Sequence, residues 1–70
     1  MKVIYDPATD TLSLILRDEP ITESDEVEDG IILDYDRNGK VVSIEMLDAS
    51  QNVSEPLGIS YELKAMEKAA

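Results

Sequence analysis

The stretch Gly30 to Leu47, GIILDYDRNGKVVSIEML, constrains this chain more than any other. Two runs of β-branched and aliphatic residues flank Asn38-Gly39. That dipeptide is a strong hairpin signal, because a type I′ turn needs positive φ at both central positions. A two-residue turn there pairs Tyr35 with Val42, Leu33 with Ile44 and Ile31 with Met46, all apolar and all on one face. Asp34 opposite Ser43 and Ile32 opposite Glu45 fall on the other face. A three-residue loop with Gly39 in a bulge is the competing arrangement. It shifts the pairing by one and mixes the two faces, so it ranks second.

The segments on either side read as supports for this hairpin. Lys2 to Tyr5 is a short β-branched run, stopped at Asp6-Pro7 because proline lacks an N–H and restricts the residue before it. Asp6 to Asp10 is then a hairpin connection. Thr11 to Leu16 follows, with Leu12, Leu14 and Leu16 at a period of two, the mark of a strand with one face in a core. Arg17 to Asp29 carries seven carboxylates and no base after Arg17. It reads as a solvated edge strand or loop whose charge discourages other chains from adding to the sheet. Downstream, Asp48 and Gln51 have the spacing of a capping box and predict one helical turn. A second helix is expected from Tyr61 to Lys68, with Leu63 and Met66 three apart. It is too short to stand alone in water, so it must pack on the sheet, swap onto another subunit or fray. The expected architecture is α+β, mainly β: an antiparallel meander of four to five strands with a short C-terminal helix. Residues 1–70 form one small domain, with the meander over 1–47 and the helical turn and helix over 48–70.

Seventy residues bury only about 60% of the surface that the unfolded chain exposes. Domains of this size often add disulfides, a metal or a partner subunit. The chain has no Cys and no His, which removes disulfides, thiolate metal sites and the usual proton shuttle near neutral pH. Self-association is the support left, and a homodimer is expected. The net charge is -10, from 16 acidic and six basic residues. Such a surface repels nucleic acid and anionic membranes and attracts basic partners. A hydrophobic fraction of 43% in strand-like runs argues for a folded domain rather than a disordered one. Neither a signal-peptide core nor a run approaching the roughly 20 apolar residues of a membrane span is present, so a cytoplasmic location is expected.

Two constellations could carry chemistry. Asp34, Asp36, Asn38-Gly39 and Glu45 fit the D-x-[DN]-x-[DN]-G-x5-E calcium loop. Calcium takes six to eight oxygens and a bidentate carboxylate to close the shell. An EF-hand needs helices on both sides, however, and the flanks here are strand-like. Asp, Asn and Gly are also what a bare turn selects. The turn reading is preferred, and a calcium-binding or calcium-stabilised hairpin is the alternative. Enzymatic readings lack a nucleophile beside a base, so a small enzyme is the last alternative, and no cofactor is expected. The second constellation is the acidic middle, where Glu19, Glu23, Asp25, Glu26, Glu28 and Asp29 are the candidate contact face for a basic protein.

The segments together resemble a known family. Tyr5 to Leu14, YDPATDTLSL, looks like its opening motif, and Glu23 to Val27 like its acidic middle. Gly30 to Asp36 and Val41 to Ser50 are similar to its second half. The family is a small bacterial one catalogued as domain of unknown function 2283. The resemblance spans about Met1 to Ser50, and the tail after Gln51 lies outside it. It implies no activity and no catalytic residues. It does suggest an antitoxin-like role beside small ribonuclease-like toxins, in which an acidic module covers a basic nuclease surface.

Overall fold

Two hairpins, one at each end of the sheet, are built from local signals, and a long connection brings them together. The computed structural model describes residues 1–65. Strand β1 (Lys2–Asp6) pairs with β2 (Thr11–Ile15), and β3 (Glu23–Glu28), β4 (Ile31–Tyr35) and β5 (Val41–Met46) follow, then a one-turn helix, α1 (Ala49–Asn52). All four pairings are antiparallel, and the sheet order is β1-β2-β5-β4-β3. The expected mainly-β antiparallel fold with a short helix after it is therefore present. Strands β3, β4 and β5 run as a meander of neighbours. The connection after β2 instead carries the chain to the far edge, and β2 closes against β5.

The central hairpin keeps most of its expected register. Ile31, Ile32, Leu33 and Asp34 face Met46, Glu45, Ile44 and Ser43. The turn itself differs. Tyr35 pairs with Val41, not Val42, and only Gly39 has a positive φ, 79°. The Gly39 N–H reaches the Asp36 carbonyl at 3.0 Å, and the Asp36 N–H reaches the Lys40 carbonyl at 2.9 Å. This is the three-residue loop with a left-handed glycine. The reason is the Asp36 side chain: its Oδ1 accepts the N–H of Asn38 at 2.8 Å and of Lys40 at 3.0 Å, which holds Asn38 out of the type I′ conformation. The shift this loop introduces is undone one step later, where the ladder is irregular between Asp34 and Tyr35 and Val42 is the extra residue, a β-bulge. The Val42 carbonyl accepts the Leu16 N–H from β2's end instead.

Register and alternation divide the sheet into two faces. One row runs Val3, Leu14, Ile44, Leu33 and Asp25 across the five strands, and the next runs Tyr5, Leu12, Met46, Ile31 and Glu28. The opposite face carries Lys2, Ile15, Ser43, Asp34 and Ser24, then Ile4, Ser13, Glu45, Ile32 and Glu26. No second layer crosses the apolar face among the described residues. Leu12, Leu14, Ile31, Leu33, Ile44 and Met46 are all only half-buried. The buried hydrophobic residues are Val42 and Ala49.

The helix is held by a device the sequence reading placed elsewhere. Asp48 adopts φ 52° and makes no side-chain cap, so the capping box with Gln51 does not form. Asp10, itself left-handed at φ 53°, supplies the cap from the first hairpin. Its carbonyl accepts the Ala49 N–H at 2.9 Å, and its carboxylate accepts the Ser50 N–H at 2.9 Å and the Ser50 hydroxyl at 2.6 Å. The Tyr5 hydroxyl donates to the same carboxylate at 2.7 Å. The further helix expected from Tyr61 to Lys68 is absent over residues 61–65, which have no regular secondary structure; residues 66–68 lie outside the described range. None of the described helices is long and apolar enough to cross a membrane.

Gly30 and Gly39 both sit at φ 79°, where a Cβ is strained. Replacing either by alanine is expected to lower stability by about 1–2 kcal/mol, read as a lower urea midpoint at unchanged m-value.

Candidate functional site

The most buried polar group is the Asp34 carboxylate, 2% exposed. It sits mid-strand in β4, between the two strands that pair with it. Its Oδ1 accepts the Ser24 hydroxyl from β3, and its Oδ2 accepts the Ser43 hydroxyl from β5, each at 2.6 Å. Burial pushes its proton affinity up, but the Ser24 and Ser43 hydroxyls, with a smaller contribution from Glu45, outweigh that and leave it below the usual range. Glu45 moves the other way. The hydrogen bond to Asp34, burial, and repulsion from the Asp34 charge all raise it. The two carboxyls are thus shifted in opposite directions, Asp34 down and Glu45 up.

Asp36 lies 7% exposed under the connection from β2 to β3. The Lys40 N–H, the Asn38 N–H and the Arg17 guanidinium hold its carboxyl low against the effect of burial. Arg17 Nη1 stands 2.9 Å from Asp36 Oδ2, an ion pair without a well-aligned hydrogen bond. The Thr22 N–H, donating to the Tyr35 carbonyl at 2.8 Å, ties down the other end of the connection.

These contacts separate the residues of the calcium pattern. The oxygens of Asp34 face two serines and Glu45, and those of Asp36 face two backbone N–H groups and Arg17. Glu45 stands opposite Ile32, along the strand from the turn that holds Asn38. Among the described residues, no group of three or more acidic side chains is arranged to hold a metal ion. The arrangement is a set of hydrogen-bond hubs within the sheet.

The acidic candidates divide between surfaces. Glu23, Asp25 and Glu28 pair with Tyr35, Leu33 and Ile31, so they border the apolar face along its β3 edge. Glu26 pairs with Ile32 on the opposite face and accepts the Gly30 N–H through Oε2 at 2.9 Å. Asp29 lies in the β3–β4 turn. Glu19 lines a cleft of about 370 Å³ with Arg17, Pro20, Thr22, Asp36 and Arg37. Every residue of β3 is exposed.

The larger cleft, about 560 Å³, opens on the apolar face between Val3, Tyr5 and Leu12 and the segment Val53 to Ile59. Beyond it the tail is exposed: Leu57 87%, Ile59 71%, Tyr61 79% and Leu63 87%. Reading the tail as a helix missed this set. The signal is in the sequence, since the four stand at every second position with Gly58, Ser60 and Glu62 between them.

The comparisons with known proteins accord with the segments that carried the resemblance. A family profile described as a protein of unknown function (DUF2283) matches residues 2–50. No curated protein and no solved structure matches the chain. The matched span contains the whole sheet and stops within α1, before the exposed tail.

Two outcomes follow from the Asp34 hub. Asp34→Ala leaves the buried Ser43 hydroxyl without its acceptor and should cost about 2–3 kcal/mol in urea unfolding. The carboxyl pair also sets a pH dependence. The depressed Asp34 value contributes stability that is present above the unfolded carboxyl range and lost as pH falls through its folded value. The raised Glu45 value contributes stability that is full below about pH 4 and lost as pH rises through its folded value. Glu45→Gln keeps a donor for Asp34 without titrating. It should stabilise the protein more at pH 7 than at pH 4, measured by urea midpoints across that range. Millimolar calcium or chelator should leave the melting temperature unchanged.

Proposed function

The chain belongs to the DUF2283 family of proteins of unknown function, and from that premise we propose that it is a non-catalytic protein-interaction module that works as a homodimer. One observation carries the reading. The polar hubs of the sheet are buried and saturated by their own neighbours, while the large apolar side chains remain half-exposed across one whole face. A catalytic pocket needs a few convergent polar groups open to substrate, whereas Asp34 and Asp36 are occupied by their own neighbours. A contiguous apolar face on a small domain marks a protein contact.

The second part of the reading is an outward-facing acidic margin for a basic partner, of which a small ribonuclease-like toxin is the sharpest form. Charge supports it: β3 is exposed along its length, and Glu23, Asp25 and Glu28 flank the apolar face. An acidic border of this kind speeds encounter with a basic protein and makes the complex salt-sensitive. It also keeps β3 from adding further strands.

Light scattering near micromolar concentration should give a mass of about twice 7.8 kDa, and Leu33→Glu should return the monomer. A monomeric wild type sinks the homodimer. For the basic partner, purification from the native host at low salt should bring down a strongly basic small protein. Neutralising Glu23, Asp25 and Glu28 to amides should weaken that association about tenfold or more. Recovery of the chain alone counts against the reading.

A further inference from the structure

We propose that the segment from Leu57 to Leu63 is an exchange arm that lies on the apolar sheet face of a second copy of this chain. The inference rests on the homodimer reading and names what completes its interface. It starts from the alternation of Leu57, Ile59, Tyr61 and Leu63, each at least 71% exposed. A period of two with small or polar residues between is the pattern of a strand that buries one side. Here that side is in water. Among the described residues, no backbone hydrogen bond joins residues 59–65 to the rest of the fold. The arm is apolar, unpaired and without a surface of its own.

The matching surface is present on the same molecule and is not filled by the arm. Leu57 and Ile59 line the cleft beside Val3, Tyr5 and Leu12, at the β1–β2 side, yet stay 87% and 71% exposed. Leu14, Leu33 and Ile44, in the middle of the sheet, stay half-exposed.

Dimensions and area favour a second copy as the occupant. Seven residues of extended chain span about 23 Å, and five strands spaced about 4.8 Å apart make a sheet about 19 Å wide. An arm of this length crosses a partner's face completely. Strands of about five residues, about 17 Å long, give the face a footprint of only a few hundred Å². A specific dimer buries about 800 Å² on each side. Two sheet faces alone fall short, and a pair of arms, each adding four large apolar side chains, makes up the difference. A two-fold axis makes the exchange reciprocal, so each copy gives an arm and receives one.

The absence of cysteine gives a direct test in the full chain. One preparation carries Ile59→Cys, and a second, distinguishable by mass, carries Leu14→Cys, Leu33→Cys or Ile44→Cys. Mixing and oxidising them should give a disulfide-linked species containing one copy of each, with at least one of the three sheet positions. In parallel, the triple variant Leu57→Ser, Ile59→Ser, Leu63→Ser should raise the dimer Kd by about a hundredfold or more, with the β-sheet circular dichroism unchanged. The arm is overturned if the dimer forms with unchanged Kd in the triple variant. It is also overturned if no mixed disulfide forms with any of the three sheet positions. A wild type that is monomeric at micromolar concentration overturns the homodimer reading, and the arm falls with it.

Discussion

A single-layer sheet cannot bury both of its faces, and the rest of this molecule is arranged around that constraint. Helices or a second sheet normally cover the apolar side. Among the described residues the one helix is a single turn at the corner of the β1–β2 hairpin, and only Val42 and Ala49 are buried hydrophobic residues. Hydrophobic burial is the main favourable term in folding. A fold that leaves its leucines and isoleucines half-covered therefore draws less on that term than a two-layer domain does.

What holds the sheet in the meantime is polar. Asp34 joins three strands through two serine hydroxyls, and its charge raises the proton affinity of its neighbour Glu45. Asp36 organises the turn and receives Arg17 from the connection that wraps the hairpin. Asp10 joins the first hairpin to the helix 40 residues away. Three aspartates thus do the positioning that a packed core does in a larger domain. Each is saturated by donors that the register brings to it, and each would be costly to bury otherwise.

Much of this was legible from the residues and some was not, for identifiable reasons. The pairing of Leu33 with Ile44 and of Asp34 with Ser43 follows from alternation, because a slip by one residue would move every apolar side chain to the wrong face. The loop at Asn38-Gly39 departs from the expected two-residue turn because Asp36 decides it through two side-chain hydrogen bonds, a local competition outside the Asn-Gly rule. The closure of β2 on β5 is a long-range choice with no local signal. Asp34 stands in the calcium pattern, but nothing in the letters distinguishes a buried carboxylate from an exposed one until its two serines are placed around it. The tail's period of two was present in the letters. It was masked by the alanine, glutamate and lysine that follow, which favour a helix.

The bulge at Val42 has a meaning for how this hairpin tolerates change. A three-residue loop followed by one extra strand residue delivers the same downstream pairing as a two-residue loop with none. The two errors cancel, and the ladder from Asp34 to Ile31 is indifferent to which solution lies above it. The tip of the hairpin therefore behaves as a vernier. A residue lost or gained there can be absorbed by flattening or forming the bulge, while the carboxylate anchored by Ser24 and Ser43 keeps the scale from sliding.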